Sequence, residues 1–316
     1  MSGQELLKDM RIVLVGKTGV GKSAAANTIL GRKAFKSELT PSSVTSQCEK
    51  TSDKVDERDV AMVDTPGLFD TRCSNDVIIN EIGKCICLSS PGPHVFLVVI
   101  QLGRFTEEEQ ETVKILQKTF GPDSAKYMMV LFTNGDRLKN KTIEEYLKNS
   151  PERLRKLIQQ CHGGYHVFNN EKMENRSQVT ELLQKIDKLV VENGGCCYTN
   201  EMYREAEEGI EEEKRRILRM NEEERRRVEQ ELKDTYKGEA LEKATEELRK
   251  QQERTAREKA EKDNSFLKKL AKYAQVAFKH LMEVVKEVAV ETFVEALDIG
   301  VVGELIINVP ELCTIQ

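Results

Sequence analysis

The feature that most limits what this chain can fold into is Gly16-Lys17-Thr18-Gly19-Val20-Gly21-Lys22-Ser23, a full match to the phosphate-loop spacing G-x-x-x-x-G-K-[ST]. It follows the apolar run Ile12-Val13-Leu14-Val15 and precedes Ala24-Ala25-Ala26-Asn27-Thr28-Ile29-Leu30, which reads as a helix. Strand, glycine loop and helix in that order predict an α/β fold of the Ras-like P-loop kind, a mostly parallel sheet flanked by helices. Glycines let the backbone curve round an anion, amide groups from Gly16 to Ala24 point at its oxygens, and Lys22 adds a point charge. Ser23 supplies a hydroxyl for Mg²⁺.

A chain of 316 residues suits one such domain, expected over residues 1–200, followed by a helical extension over 201–316. The net charge of -5, with 33% charged residues of both signs, offers no global basic field, so nucleic acid is not an expected partner. The eight cysteines form no C-x-x-C block and the four histidines no H-E-x-x-H group, which speaks against zinc and histidine catalysis. Met1-Ser2-Gly3-Gln4-Glu5-Leu6-Leu7 lacks a basic stretch followed by an apolar one, and a cytoplasmic location is expected.

Downstream, Pro41-Ser42-Ser43-Val44-Thr45-Ser46 is too rich in turn formers for regular structure. A loop of this kind in a nucleotide switch places a threonine on Mg²⁺ and the γ-phosphate. Thr45 is the candidate, with Thr40 and Thr51 as competitors. The short strand Asp59-Val60-Ala61-Met62-Val63 feeds Asp64-Thr65-Pro66-Gly67, where a carboxylate would meet the Mg²⁺ shell, directly or through water, and the Gly67 N–H would meet the γ-phosphate. Leu68 follows, at the position where Ras-type GTPases carry the water-orienting glutamine. Hydrolysis is therefore either slow or assisted by another group.

A helix is expected over 75–88, a buried parallel strand over 94–100 and a helix over 107–120, with Thr106 and Glu109 forming a capping box. Between them Arg104 sits at a strand's C-terminal end, open to two readings: an arginine finger, in cis or across a dimer, or a surface arginine. The strand 127–132 ends in Thr133-Asn134-Gly135-Asp136, a degenerate form of the guanine box N-K-x-D. An aspartate there selects guanine because its oxygens accept from N1–H and the 2-amino group, which adenine lacks. Short helices, a last strand at Tyr165-His166-Val167-Phe168 and a closing helix over 177–191 complete the domain, with Asn169 a possible base contact by position.

From Tyr203 to Lys262 the chain reads as one long charged helix, solvated or loosely packed, whose apolar positions do not hold a coiled-coil seam. From Phe266 an amphipathic pattern begins. It fits a helix face packed within the protein, or a membrane-surface or self-association helix.

With the phosphate loop, Asp64-Thr65-Pro66-Gly67, the stretch 94–109 and Phe168-Asn169-Asn170 in view, the chain to about Asn200 resembles the AIG-type GTPases of immunity-associated proteins, the GIMAP family. Gln101-Leu102-Gly103-Arg104-Phe105-Thr106 is the most discriminating piece. The resemblance implies a G domain that binds GTP and GDP and pairs through its nucleotide face. It implies that Gly16 to Ser23 cradle the phosphates, that Ser37 lies by the nucleotide, and that Thr45 and Asp64 sense Mg²⁺ and the γ-phosphate. Asn134, Gly135, Asp136 and Asn169 would surround the base. Because members differ in hydrolysis, the resemblance does not carry activity over. The expectation is a guanine-nucleotide switch working by self-association, its tail coupled to partners or to an intracellular membrane. A dimer-activated GTPase using Arg104, a nucleotide-stabilised scaffold without turnover, and adenine specificity are the alternatives.

Overall fold

The structure, a computed structural model, describes residues 9–37, 47–67, 75–103, 105, 107–263, 275, 276 and 279. A six-stranded sheet forms its centre, in the order β2-β3-β1-β4-β5-β6. The strands are β1 (Asp9–Val15), β2 (Glu49–Val55), β3 (Arg58–Asp64), β4 (Val95–Gln101), β5 (Met128–Thr133) and β6 (Tyr165–Val167). Only the β2–β3 pair is antiparallel. The neighbours of β1 are β3 and β4, so the chain order reverses beside β1, and its C-terminal end opens the crevice where open α/β sheets take ligands.

The central strands are apolar on both faces because helices cover both. Val13, Val63, Phe96, Val98 and Ile100 point to one layer, with α2 (Asn75–Ser89) and α3 (Glu107–Phe120). Ile12, Leu14, Met62, Leu97 and Val99 point to the other, with α1 (Lys22–Leu30) and α6 (Ser177–Glu192). The short helices α4 (Ile143–Lys148) and α5 (Glu152–Gln160) lie between β5 and β6 in the chain. The Thr142–Glu145 capping box starts α4. At the foot of the sheet Arg11 N donates to His94 Nδ1 at 2.9 Å. Burial, with the Arg11 charge nearby, pushes that imidazole's pKa down to about 3.

Two expectations need correction. The polar run Glu49–Val55, which holds the loop-threonine competitor Thr51, is the edge strand β2. The single charged helix is three: α7 (Glu201–Met220), α8 (Glu222–Thr235) and α9 (Glu239–Glu261). The chain leaves helical geometry at Asn221 and again before Gly238, and α9 returns along α7, with Arg257 reaching Glu207 and Glu211 while Gln252 meets Arg225. Nor is α7 loosely held. Tyr203, Ala206 and Ile210 are buried in the α2/α3 layer. Tyr203 lies against Phe120 and Tyr198, its hydroxyl 3.0 Å from Ser89 Oγ. The amphipathic stretch from Phe266 lies almost wholly outside the described residues. No described helix is long and apolar enough to cross a membrane.

Candidate functional site

The phosphate loop leaves β1 and enters α1 through three glycines in left-handed or related backbone, Gly16, Gly19 and Gly21, with φ of 145°, 82° and 92°. At Gly16 the requirement is also steric, since a Cβ would sit 2.6 Å from the Val99 carbonyl oxygen. Lys22 folds back over the loop and donates to Gly16 O at 3.0 Å and Lys17 O at 2.9 Å. Its side chain is buried, which draws its pKa down to about 8 although the Asp64 charge works in the opposite direction. A buried ammonium at a helix N-terminus needs an anion, and the loop is shaped to bring one.

Ser23 Oγ donates to Asp64 Oδ2 at 2.5 Å, joining the first turn of α1 to the end of β3. A hydroxyl and a buried carboxylate so placed beside a phosphate cradle are the oxygen donors that a small divalent cation takes. Thr65 Oγ1 donates to Leu14 O at 2.7 Å and fixes the exit of β3. Gly67 closes on the loop so tightly that a Cβ would meet Thr18 Oγ1 at 2.3 Å. The loop, Ser23, Asp64 and Gly67 are thus brought together. Asn27 organises the next turn of chain: its Oδ1 accepts from Ala34 N and Phe35 N, both at 2.8 Å, and its Nδ2 donates to Ser37 Oγ at 3.3 Å.

At the other end, Asn134 is left-handed, with φ of 58°, and caps the turn Gly135–Leu138 that carries the exposed Asp136. Gly135 N donates to Phe168 O at 2.8 Å, so the Asn134-Gly135-Asp136 and Asn169 loops form one wall. Asn169 Oδ1 accepts from Glu171 N at 3.0 Å, and its backbone N–H donates to Gln178 Oε1 at 2.9 Å. Thr45, Thr40, Leu68, Arg104 and Thr106 lie outside the described residues. Thr51 is in β2.

Sequence reasoning missed the residues that join the two ends. Thr133 is fully buried; its Oγ1 donates to Val20 O at 2.7 Å and its methyl faces Gly21. Thr28 Oγ1 lies 2.9 Å from Asn170 Oδ1, while Arg176 donates to Thr28 O and Ile29 O at 2.6 and 2.8 Å. Threonine in place of the usual asparagine at position 133 was the available signal.

A phosphate loop at the reversal point of a mostly parallel sheet, with an acidic strand end facing its serine, defines a P-loop G-domain fold. The profile of the AIG1 family matches residues 10–217, and the chain belongs to that family. It is 42% identical over 204 residues to immune-associated nucleotide-binding protein 9 of Arabidopsis thaliana, covering 62% of this chain and 60% of the relative. It is 39% identical over 199 residues to human GTPase IMAP family member 8, covering 61% of this chain and 30% of the relative. The chain therefore spans less than two thirds of the length of these curated relatives. Among solved structures, Toc33 from Arabidopsis thaliana in complex with GDP and Mg²⁺ resembles it in outline, at 16% identity and a TM-score of 0.47, over 59% of this chain and 86% of that one.

Proposed function

We propose that this chain is a cytosolic guanine-nucleotide switch that holds GTP or GDP with Mg²⁺, self-associates through its nucleotide face in the GTP state, and passes that state to partners or a membrane through its helical tail. The observation that carries the reading is the buried Lys22 folded over the phosphate loop, with Ser23 and Asp64 in contact beside it. In this reading the loop amides and Lys22 bind and orient the phosphates. Ser23 and Asp64 would hold Mg²⁺, which would supply neutralisation of the phosphate charge. Ser37 and Ala24 border the phosphates; Asn134, Gly135, Asp136 and Asn169 enclose the base, with Asp136 giving preference for guanine over adenine. That the human relative is named a GTPase supports guanine. Thr45 is the proposed γ-phosphate sensor, and Arg104 is the group to which turnover is assigned.

The test is light scattering on protein loaded with GDP or with a non-hydrolysable GTP analogue, with phosphate release followed across protein concentrations. A larger mass only with the GTP analogue supports the switch. Equal mass with both nucleotides defeats it. Turnover per molecule that climbs with concentration and is lost in Arg104→Ala, with binding retained, makes the protein a dimer-activated GTPase. Lys22→Ala is expected to weaken nucleotide binding by about 100-fold or more, as loss of a charged contact to phosphate. Retained affinity would remove the cradle from the mechanism. Labelled GTP that ATP displaces as well as GTP would overturn the guanine assignment.

A further inference from the structure

Two buried carboxylates grip the short segment 47–50, where the chain enters β2. From α2, Glu81 Oε2 accepts from Cys48 N at 2.5 Å, and the Glu81 carbonyl accepts from Cys48 Sγ at 3.3 Å. Lys84 fixes that carboxylate, donating to Glu81 Oε1 at 2.7 Å, and also lies 3.4 Å from Gln47 Oε1. From the other side comes α9. Glu261, only 2% exposed at its side chain, receives both-oxygen contact from Lys50 Nζ at 2.8 and 2.7 Å. Glu261 is held in turn by Arg257 Nε at 3.0 Å, and the same guanidinium bridges to Glu207 and Glu211 of α7 and to Ser90 O.

Buried charge of this density is costly unless each group is paired, and breaking one pair leaves its partner uncompensated. The two helices therefore determine where residues 47–50 sit. This segment opens the strand whose Glu49 pairs with Asp64 across the β2–β3 ladder, and α2 is the helix that follows the Asp64–Gly67 turn. We infer that Glu81 and Glu261 are positioning residues for the nucleotide site, and that the tail hairpin acts on nucleotide release through the Lys50–Glu261 pair. This rests on the nucleotide-switch reading. It adds the joint: a carboxylate at the end of α9, outside the stretch matched by the family profile, sets the position of the strand that pairs with the Asp64 end of β3.

The experiment measures dissociation of fluorescent GDP from full-length wild type, Lys50→Met, Glu261→Gln, the double variant and Lys50→Arg, each checked for folding by circular dichroism. Faster release in both single variants, by at least about fivefold as for coupled sites, with the double variant no faster than either and Lys50→Arg near wild type, supports the joint. Should Glu261→Gln not fold, Lys50→Met against Lys50→Arg carries the same test. Unchanged release in the variants, or additive effects in the double variant, overturns the joint while leaving the switch reading in place. A wild type that binds no guanine nucleotide overturns both. A merely structural pair would lower the melting temperature of the variants and leave release unaltered.

Discussion

Helices α7 and α8 are written in nearly the same alphabet of Glu, Arg and Lys, yet one is part of the core and the other buries no residue. The difference lies in four positions. Met202, Tyr203, Ala206 and Ile210 recur at helical spacing and join the α2/α3 core layer, with Tyr203 against Phe120 and Tyr198, whereas α8 offers Val228 and Leu232, which are only half-buried. Spacing of a few apolar residues, rather than overall polarity, decides whether a charged helix docks. In α9 the docking is different again: Ala256 and Ala260 pack closely while Arg257 and Glu261 make the buried ionic contacts.

The sharpest way to break this contrast is Tyr203→Ala, expected to cost about 3–5 kcal/mol in denaturant unfolding, the range for truncating a buried aromatic. A loss below about 1 kcal/mol would mean that α7 is no more integral than α8. Next is Arg257→Ala, which leaves Glu207, Glu211 and Glu261 without their shared cation. With the guanidinium a quarter exposed, a loss of about 1–3 kcal/mol is expected, together with faster amide exchange in α9 and not in β1. Acid sharpens the same point. Burial pushes the Glu207 carboxyl up, but Arg257 and Ser90 outweigh it and hold the group below its ordinary value of 4.5. The folded state therefore binds this proton less readily than the unfolded chain. The contribution is full above pH 4.5 and is lost as pH falls through the lowered value. Amide exchange in α9 should rise over that acid range, and Glu207→Gln should remove the dependence. Smallest is Val228→Ala in α8, expected to stay within about 0.5 kcal/mol. A larger effect would place α8 in a contact that its exposure conceals.

The phosphate end of the site was legible because its chemistry is local: eight consecutive residues encode the loop, and Asp64-Thr65-Pro66-Gly67 ends a strand whose apolar run announces it. The parallel strands announced themselves by burial on both faces. Strand β2 did not, since Glu49-Lys50-Thr51-Ser52-Asp53-Lys54-Val55 is an edge strand with one neighbouring strand, and its alternation carries little apolar signal. The contacts of Thr133 and Asn170 were illegible for another reason: their partners, Val20 and Thr28, are 113 and 142 residues away in the chain. The division of the tail was partly readable. Gly238 is a plain helix breaker, but Asn221 in a run of charged helix formers gives little warning of a bend.

The junction between Pro93 and Tyr198 works as a keyhole for backbone. Tyr198 N donates to Pro93 O at 2.8 Å, and Gly92, at φ 146°, lies so close beneath that a Cβ would stand 1.7 Å from the Tyr198 carbonyl oxygen. No rotamer relieves such an overlap, because the backbone fixes where a Cβ stands and the oxygen it meets is main chain. The strand that supplies the middle of the sheet and the segment that launches the tail must therefore be refitted together: a side chain at position 92 forces the approach to α7 onto another route, and with it the aromatic plug that begins at Tyr198. The path by which the tail leaves this domain therefore depends on one residue that carries no side chain.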